Sequence, residues 1–599
     1  MTRTAEARNK AITEETREKI RLAANAAAIE GNGGITYSNL VAELDKEFKG
    51  SGTEVGQYEI QGDESSTQWT ITAHTSAGDV VEVIKGVATP IDESETAVLD
   101  TGEDFNSKVK ALAGGSWSNL KQILAIEKAS SKPEDANMQE ANIVSAENSA
   151  NPIYVYFDPQ SGTMFWYSEA KKVYLNQNCY YMFENFGFEN LKGLSEFDTS
   201  LVTDMSFMFD VCIKLISLEG IENWNVSNVT NMSGMFYNCW DLANLEGMEN
   251  WDVSNVTDMS NMFYDCENSL SDISALSNWN VSNVTDMCDM FGFCRVIEDM
   301  SPISNWNVSN VTNMKDMFEA CNLESIDMIE NWDISKVTNI SGMFSNCEKL
   351  TDISVLSSWD VSSVTSMEWL FNGCESLIDI TPISGWDVSG VTSMGSMFSR
   401  CSLLTNLSPI SNWDVSGVTS MGGMFNSCTL LTDLSPISSW DTSSVIDIKE
   451  MFGGVKSLTD LNPISGWDLS SVTNMRGMFS GCTSLTNLSP ISDWNISSVT
   501  IMGSMFNGCT ALTNLDSISD WNTSSVTDMS FMFEGCTGLT DVSGINKWDI
   551  SKIQNMTKND YINGTYKMFK DCSLYPTFED SNGNPISGSW TSNGTFVKK

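Results

Sequence analysis

Tryptophan recurs through the last two-thirds of this chain at an almost fixed interval. Ten of the twelve gaps between thirteen such tryptophans are 27 residues long, and the other two are 28 and 26. Each opens the same phrase, as in WDVSGVTSMGGMFNSC at 413–428. A period of this length predicts a solenoid, in which one small unit stacks on the next and none is stable alone. The repeated tryptophans are Trp224, Trp251, Trp279, Trp306, Trp332, Trp359, Trp386, Trp413, Trp440, Trp467, Trp494, Trp521 and Trp548.

The pattern within one repeat predicts a strand followed by a helical turn. Leu404 and Leu407, with small polar residues after them, suit a short strand, and copies of that strand would form a parallel sheet. Apolar residues from Val418 to Cys428 have the spacing of a short helix or 3₁₀ turn that buries one stripe. We expect the tryptophans to pack on their equivalents above and below. The predicted structural core is represented by Trp224, Trp251, Trp413, Trp467, Phe425 and Cys428.

The segments around the repeats differ from them in pattern. Helical periodicity gives way after Gly50 to alternation, which predicts a small antiparallel sheet. Phe197 lies 27 residues before Trp224 and is a degenerate copy of the tryptophan position. We divide the chain into five parts. Residues 1–90 form a helix plus a small sheet, and residues 91–150 an acidic linker that contains a short helix around 120–126. Residues 151–196 form a capping hairpin with a degenerate first repeat, residues 197–575 the repeat array, and residues 576–599 a C-terminal cap or tail.

Thirteen of the fifteen cysteines occupy one repeat position, where a disulfide ladder and a buried thiol ladder are the alternatives. Val455 takes that position in one copy. A site that accepts valine is small, buried and apolar, and a free cysteine behaves in the same way. We therefore expect reduced, buried thiols.

The formal net charge of −45 excludes a nucleic-acid-binding protein, because phosphate contacts need clustered lysine and arginine. Basic partners, or partners bridged by divalent cations, are expected instead. The residue after each tryptophan is often acidic, which raises the possibility of weak calcium sites at Asp252, Asp360, Asp387 and Asp414. Asn replaces Asp in other copies, which favours a turn that bonds its own backbone. No cofactor is otherwise expected.

Catalytic constellations are missing from the sequence. His74 is the single histidine and has no nucleophile near it in sequence, and the carboxylates are spread evenly through polar turns. No run approaches the ~18 to 20 apolar residues of a membrane span. We expect a binding or structural protein without enzymatic activity.

Four aromatic residues break the repeat where small or polar residues are usual: Trp240, Trp369, Phe531 and Phe207. Exposed aromatic side chains outside the core stripe are candidate ligand contacts. The alternative for each is local repacking within its own repeat.

The phrase WDVSxVTxMxxMFxxC resembles that of the bacterial BspA-like leucine-rich-repeat surface proteins. The resemblance covers about residues 175–575 and implies an α/β solenoid of the leucine-rich-repeat type. It also implies export to the bacterial cell surface and adhesion to host glycoproteins, extracellular matrix or other microbes. The family carries no transferable catalytic motif.

The N-terminal module resembles the soluble part of a type IV pilin, in which a charged amphipathic helix enters a small sheet. The apolar first half of the pilin helix is absent from this sequence, so we expect any targeting or membrane segment to lie outside it. Together the two resemblances imply a minor or tip pilin, associated with other pilin subunits, that carries an adhesive array. The alternative is a spacer or envelope scaffold without a ligand of its own.

Overall fold

A computed structural model describes residues 93–553 and 564–598, three earlier strands within 58–85, and single positions between 16 and 46. It divides into two compact units. The first consists of Met1–Val98, Asn148–Pro152 and Ser168–Val173, and the second of Leu99–Glu147, Ile153–Tyr167 and Tyr174–Lys599.

The first unit packs helical residues on an antiparallel sheet. Alternation along the second strand buries Trp69, Ile71 and Ala73 on one face. Helical residues such as Ile20 and Leu44 are fully buried in the same cluster. The three strands after Gly50 form an antiparallel sheet, as the alternation predicts, and their order is β1-β2-β3. Their bounds are β1 Tyr58–Gln61, β2 Gln68–Thr75 and β3 Gly78–Lys85, and a separate pair joins β4 Thr96–Val98 to β8 Lys172–Tyr174.

The second unit begins with a small cap on the first repeats. The hairpin predicted at 153–167 is present, with an added parallel strand beside it. Trp166 of the hairpin packs on Phe197, the degenerate tryptophan position, at a centroid distance of 4.9 Å. The hairpin therefore covers the start of the array. The elements are the helix Gly102–Leu112, the 3₁₀ helix Trp117–Gln122, and the strands β5 Ala125–Lys128, β6 Tyr154–Asp158 and β7 Thr163–Tyr167.

Residues 91–150 have more regular structure than an acidic linker. The helix at 102–112 buries Phe105 and Val109 and packs edge-on through Phe105 against Phe183, at 5.7 Å. The helix expected around 120–126 is instead a 3₁₀ turn followed by strand β5, which pairs with β7. Pairing with a neighbouring strand, which sequence periodicity cannot reveal, decides the conformation there.

Each repeat forms one coil, and backbone hydrogen bonds join it to the coils on both sides. From 421 to 427, every second N–H donates to a carbonyl of the next coil, as Met421 does to Asp447 at 3.0 Å. Between these bonds the chain closes tight turns, such as Met424 N–H to Met421 O at 3.2 Å. Thr419 N–H reaches back to Thr392 O in the preceding coil at 2.9 Å. The polar backbone of the interior is thereby satisfied.

The expected strand at 404–407 is wrong, and the parallel ladder lies elsewhere. Most of it consists of isolated parallel bridges between coils at the residue before the first methionine of each phrase, as between Ser393 and Ser420. Two further bridges, Asn244 with Asp272 and Ser325 with Asp352, fall in the segment equivalent to 404–407 of other copies. No regular strand is assigned between 175 and 553, because turns interrupt the pairing after each bridge. The 3₁₀ helices fall at the Pro-Ile corner and not in the methionine stripe. They are Ser274–Asn278, Ser301–Ile303, Asp327–Ile329, Ser354–Ser358, Thr381–Gly385, Ser408–Ile410, Ser435–Ile437, Asn462–Ile464, Ser489–Ile491, Asp516–Ile518 and Ser543–Ile545, with an earlier one at Lys192–Glu196.

Side chains at equivalent positions of successive coils form columns in the interior of the array, and three of these columns were predicted from the sequence. The tryptophan column stacks as predicted, with Trp386 and Trp413 at 6.4 Å and 4° between ring planes. Trp413 Nε1 also donates to Ile383 O of the preceding coil, at 3.3 Å. Phe425 stacks on its equivalents in a second column. The predicted core residues Trp224, Trp251, Trp413, Trp467, Phe425 and Cys428 are each at most 6% exposed.

The third column is the thiol ladder. All fifteen cysteines are free, and thirteen are buried. Cys428 Sγ donates to Phe398 O of the preceding coil at 3.1 Å, and the same bond recurs along the array. Burial raises the pKa of Cys428 to about 12, so the thiol keeps its proton at neutral pH. Val455 fills the same space, fully buried, without the hydrogen bond.

An aromatic cluster follows the last coil. Strands β9 Gly588–Trp590 and β10 Phe596–Lys598 pair antiparallel. Trp590 packs edge-on against Phe569 of the last coil at 5.5 Å, so 576–598 forms a cap on this end. Among the helices that the structure describes, none has the length and hydropathy needed to cross a membrane.

Candidate binding face

The turns of the methionine stripe hold two residues per coil in the left-handed region of backbone space. In the coil of Trp413 these are Gly423 (φ +68°) and Ser427 (φ 60°). Such φ values follow from closing a turn between successive bonds to the next coil. Glycine adopts them without cost, whereas a bulky side chain costs about 1 to 2 kcal/mol.

Three of the four predicted contact residues occupy the position of Gly423. Their φ angles are 51° at Phe207, 55° at Trp369 and 59° at Phe531. Four other copies have glycine there, at 234, 342, 423 and 477. The sequence could show only that these residues depart from the repeat; the structure shows that they do so at strained backbone. Strain of this kind is often kept for function.

The four residues differ in their surroundings. Trp369 is 46% exposed, the most open of the four. Trp240 is 39% exposed, and its Nε1 donates to Asp265 Oδ2 at 3.1 Å. Phe531 is partly buried, edge-on to Tyr566 at 5.2 Å. Trp369 and Phe531 each lie apart from the other three.

Phe207 belongs to a ladder of partly exposed rings that continues across five coils. Successive centroid distances along it are 5.4, 5.9, 4.8 and 5.4 Å. Trp240 borders it through Asp265, whose charge acts on two of its tyrosines. We define the aromatic ladder as Tyr181, Phe207, Tyr237, Tyr264 and Phe293.

Two carboxylates, Glu184 and Asp210, lie beside the first rings at one position of successive coils. They follow Phe183 and Phe209 of the core column, just as Tyr237 follows Phe236. Burial raises the pKa of Asp210 to about 7. Burial first, and the charge of Asp210 second, raise the pKa of Glu184 to about 7. We call Glu184 and Asp210 the carboxylate pair.

Sequence reasoning missed the carboxylate pair and most of the aromatic ladder. One signal was available, since Tyr237 and Tyr264 both follow the core phenylalanine in neighbouring copies. The contribution of Tyr181 was hidden, because its copy of the repeat is the most degenerate.

The four aspartates considered for calcium accept hydrogen bonds inside their own turns. Asp414 Oδ1 accepts from Ser416 N at 3.1 Å and from Ser416 Oγ at 2.6 Å. The hydrogen bonds from Ser416 lower the pKa of Asp414, and equivalent bonds do so at Asp387 and Asp360. Asp252 pairs with Ser254 in the same way. In each of these turns the chain itself supplies donors to Oδ1 of the aspartate.

A different acidic group has the spacing of a metal site. Carboxylate oxygens of Asp289, Asp316 and Glu319 lie within 4.8 Å of one another. Lys315 forms an ion pair with Asp316, so a bound cation would have to displace that ammonium group. Three oxygen ligands of this kind suit a hard divalent cation such as Ca²⁺.

The repeat coils match a described protein family. The family described as "Mycoplasma protein of unknown function, DUF285" matches in tandem at 177–275, 235–325, 268–377, 321–433, 371–487, 402–514 and 456–575, which together cover two-thirds of the chain. The chain belongs to this family. Its matches begin at the first coil and end at the last, so the DUF285 family is one of repeat proteins of this type. No curated protein and no solved structure shows significant similarity to the chain.

Proposed function

We propose that this DUF285 protein is a bacterial surface adhesin whose repeat array binds a macromolecule of a host, its extracellular matrix or another microbe. One observation carries the proposal: bulky aromatic residues are kept partly exposed at backbone positions where other copies have glycine. The repeat itself does not require them, and Trp369 is 46% exposed. Exposed aromatic side chains are enriched among residues that dominate protein interfaces.

The resemblance to BspA-like surface proteins supports an extracellular location for the array. The helix and sheet of the first unit, with the resemblance to the soluble part of a type IV pilin, support attachment to a pilus or to the envelope. In this proposal the protein is a minor or tip pilin, the first unit holds it among other subunits, and the array makes the external contact.

A spacer without its own ligand is the second candidate. It is favoured by the regularity of the coils from 376 to 483, whose core residues repeat almost unchanged. A spacer needs only length and solubility, and the net charge of −45 keeps the protein soluble.

Adhesion of beads coated with the full chain distinguishes the two candidates. The beads are tested on matrix glycoproteins, host cells and bacterial cells, with Fab fragments raised against the array or against the sheet at 58–85 as blockers. The proposal predicts adhesion that the array Fab abolishes. Beads that adhere to no surface, or adhesion blocked only by the Fab against the sheet, would show that the array is a spacer.

A further inference from the structure

The face that carries the aromatic ladder already accommodates cations where the chain supplies them. Arg295 lies over Phe293 at the end of the ladder, 5.4 Å from the ring centroid. Near the last coil, Lys567 lies 5.7 Å from Phe531 and 5.0 Å from Tyr566. These distances are those of cation–π contacts.

The remaining rings of the ladder have no such cation. Among the described residues, no lysine or arginine lies over Tyr181, Phe207, Tyr237 or Tyr264. All four are partly exposed. Tyr237 and Tyr264 are stacked at 4.8 Å and 8°. A second molecule could therefore place cations along this row.

Among the described residues, neither carboxylate of the pair forms an ion pair, although the charge of Lys110 acts on Glu184. Asp210 is 8% exposed, and among the described residues no donor reaches its Oδ1. Asn185 follows Glu184 in sequence and is fully buried. Its Oδ1 likewise has no donor among the described residues. A buried carboxylate oxygen without a donor is costly unless a ligand supplies one.

We propose that the aromatic ladder and the carboxylate pair bind arginine or lysine side chains of an extended basic segment in a partner protein. Guanidinium groups stack on aromatic rings and donate paired hydrogen bonds to carboxylates. An extended chain presents a side chain to one face every ~6.7 Å, which is longer than the ring spacings of 4.8 to 5.9 Å, so neighbouring arginine or lysine side chains would have to converge to reach successive rings. The inference rests on the proposed function and names the chemistry of its ligand.

Binding of a fluorescent arginine-rich peptide to the full chain, followed by anisotropy, tests the site. We expect Tyr237→Leu with Tyr264→Leu to weaken binding about tenfold, or ~1.4 kcal/mol. Glu184→Gln with Asp210→Asn should weaken it by a similar factor. The matched control, Asp387→Asn with Asp414→Asn, removes two carboxylates elsewhere and should change affinity by less than about twofold.

Three further measurements separate this site from simpler explanations. Tyr237→Phe with Tyr264→Phe keeps the rings and should bind like the unchanged protein, and a melting curve verifies that each variant folds. Affinity should fall between about pH 8 and about pH 6, since the carboxylate pair takes up protons near pH 7. Glu184→Gln with Asp210→Asn should remove most of that pH dependence.

The proposal is overturned by any of four results. The control variant losing as much affinity as the others would mean that overall charge alone attracts the peptide. An unchanged pH profile in the carboxylate double variant would remove the pair from the site. Displacement of the peptide by a neutral oligosaccharide would assign the ladder to a glycan. Adhesion of the full chain that survives the ladder variants would refute this site while leaving the proposed function intact.

Discussion

Replacing Trp413 by alanine should destabilise the array strongly. The side chain is 4% exposed, stacks on Trp386 at 6.4 Å and donates to Ile383 O at 3.3 Å. Loss of a buried indole leaves a cavity and costs about 3 to 5 kcal/mol. Ile383 O keeps the hydrogen bond from Trp386 N–H at 3.2 Å, so losing the indole donor adds less than about 1 kcal/mol. We therefore expect about 3 to 5 kcal/mol in total.

The assay is denaturant unfolding followed by near-ultraviolet circular dichroism, with Trp369→Ala as the matched control. Trp369 is 46% exposed, so its removal should cost less than about 0.5 kcal/mol. Trp413→Phe keeps most of the apolar contact and should cost about 1 to 2 kcal/mol. Because stability in a solenoid is a sum over neighbouring coils, the loss should appear as an earlier, partial transition. Equal costs for Trp413→Ala and Trp369→Ala would refute the stacked-column account.

Three other outcomes are expected. Trp369→Gly should raise stability by up to about 1 kcal/mol in the same unfolding assay, because φ 55° suits glycine. Thiol titration should find the thirteen buried cysteines slow to react in the native protein and fast in denaturant, with no disulfides. Stability should fall between about pH 4 and about pH 7, because the raised pKa values of Glu184 and Asp210, about 7, mean that the folded state holds protons which the unfolded state releases above about pH 4. In the Asp210→Asn variant, the loss of unfolding free energy over this pH range should be smaller by on the order of 2 kcal/mol. Thermal melts at each pH measure this difference.

The repeat period predicted the architecture because every coil must bury the same faces. The buried positions of Trp413, Phe425 and Cys428 follow from that requirement, and Val455 identified the thiol position as apolar. The conformation of the coil was less predictable. The spacing of apolar residues in the methionine stripe indicated a helix. In the structure, every second N–H of this stripe bonds to the next coil, and the chain closes tight turns between these bonds. Such turns place Gly423 at a φ of +68°, which no right-handed helix contains.

The candidate site was predictable only in part. Departures from the repeat identified Phe207 and Trp240, which lie at or beside the aromatic ladder. Glu184 and Asp210 could not be selected from 78 acidic residues, because their distinction lies in burial and in their alignment on successive coils. Sequence spacing does not show which surface side chains of one coil lie next to surface side chains of the neighbouring coils.

The central claim is that residues which depart from the repeat make the contacts, while repeated residues maintain the fold. A fourfold variant tests it directly. The variant combines Phe207→Gly, Trp240→Thr, Trp369→Gly and Phe531→Gly, so that each position has a residue found in other copies of the repeat. Its adhesion to cells and matrix is compared with that of the unchanged chain, alongside a melting curve. The account predicts a folded protein of unchanged or higher melting temperature that no longer adheres. A folded protein that adheres as well as the unchanged chain would contradict it.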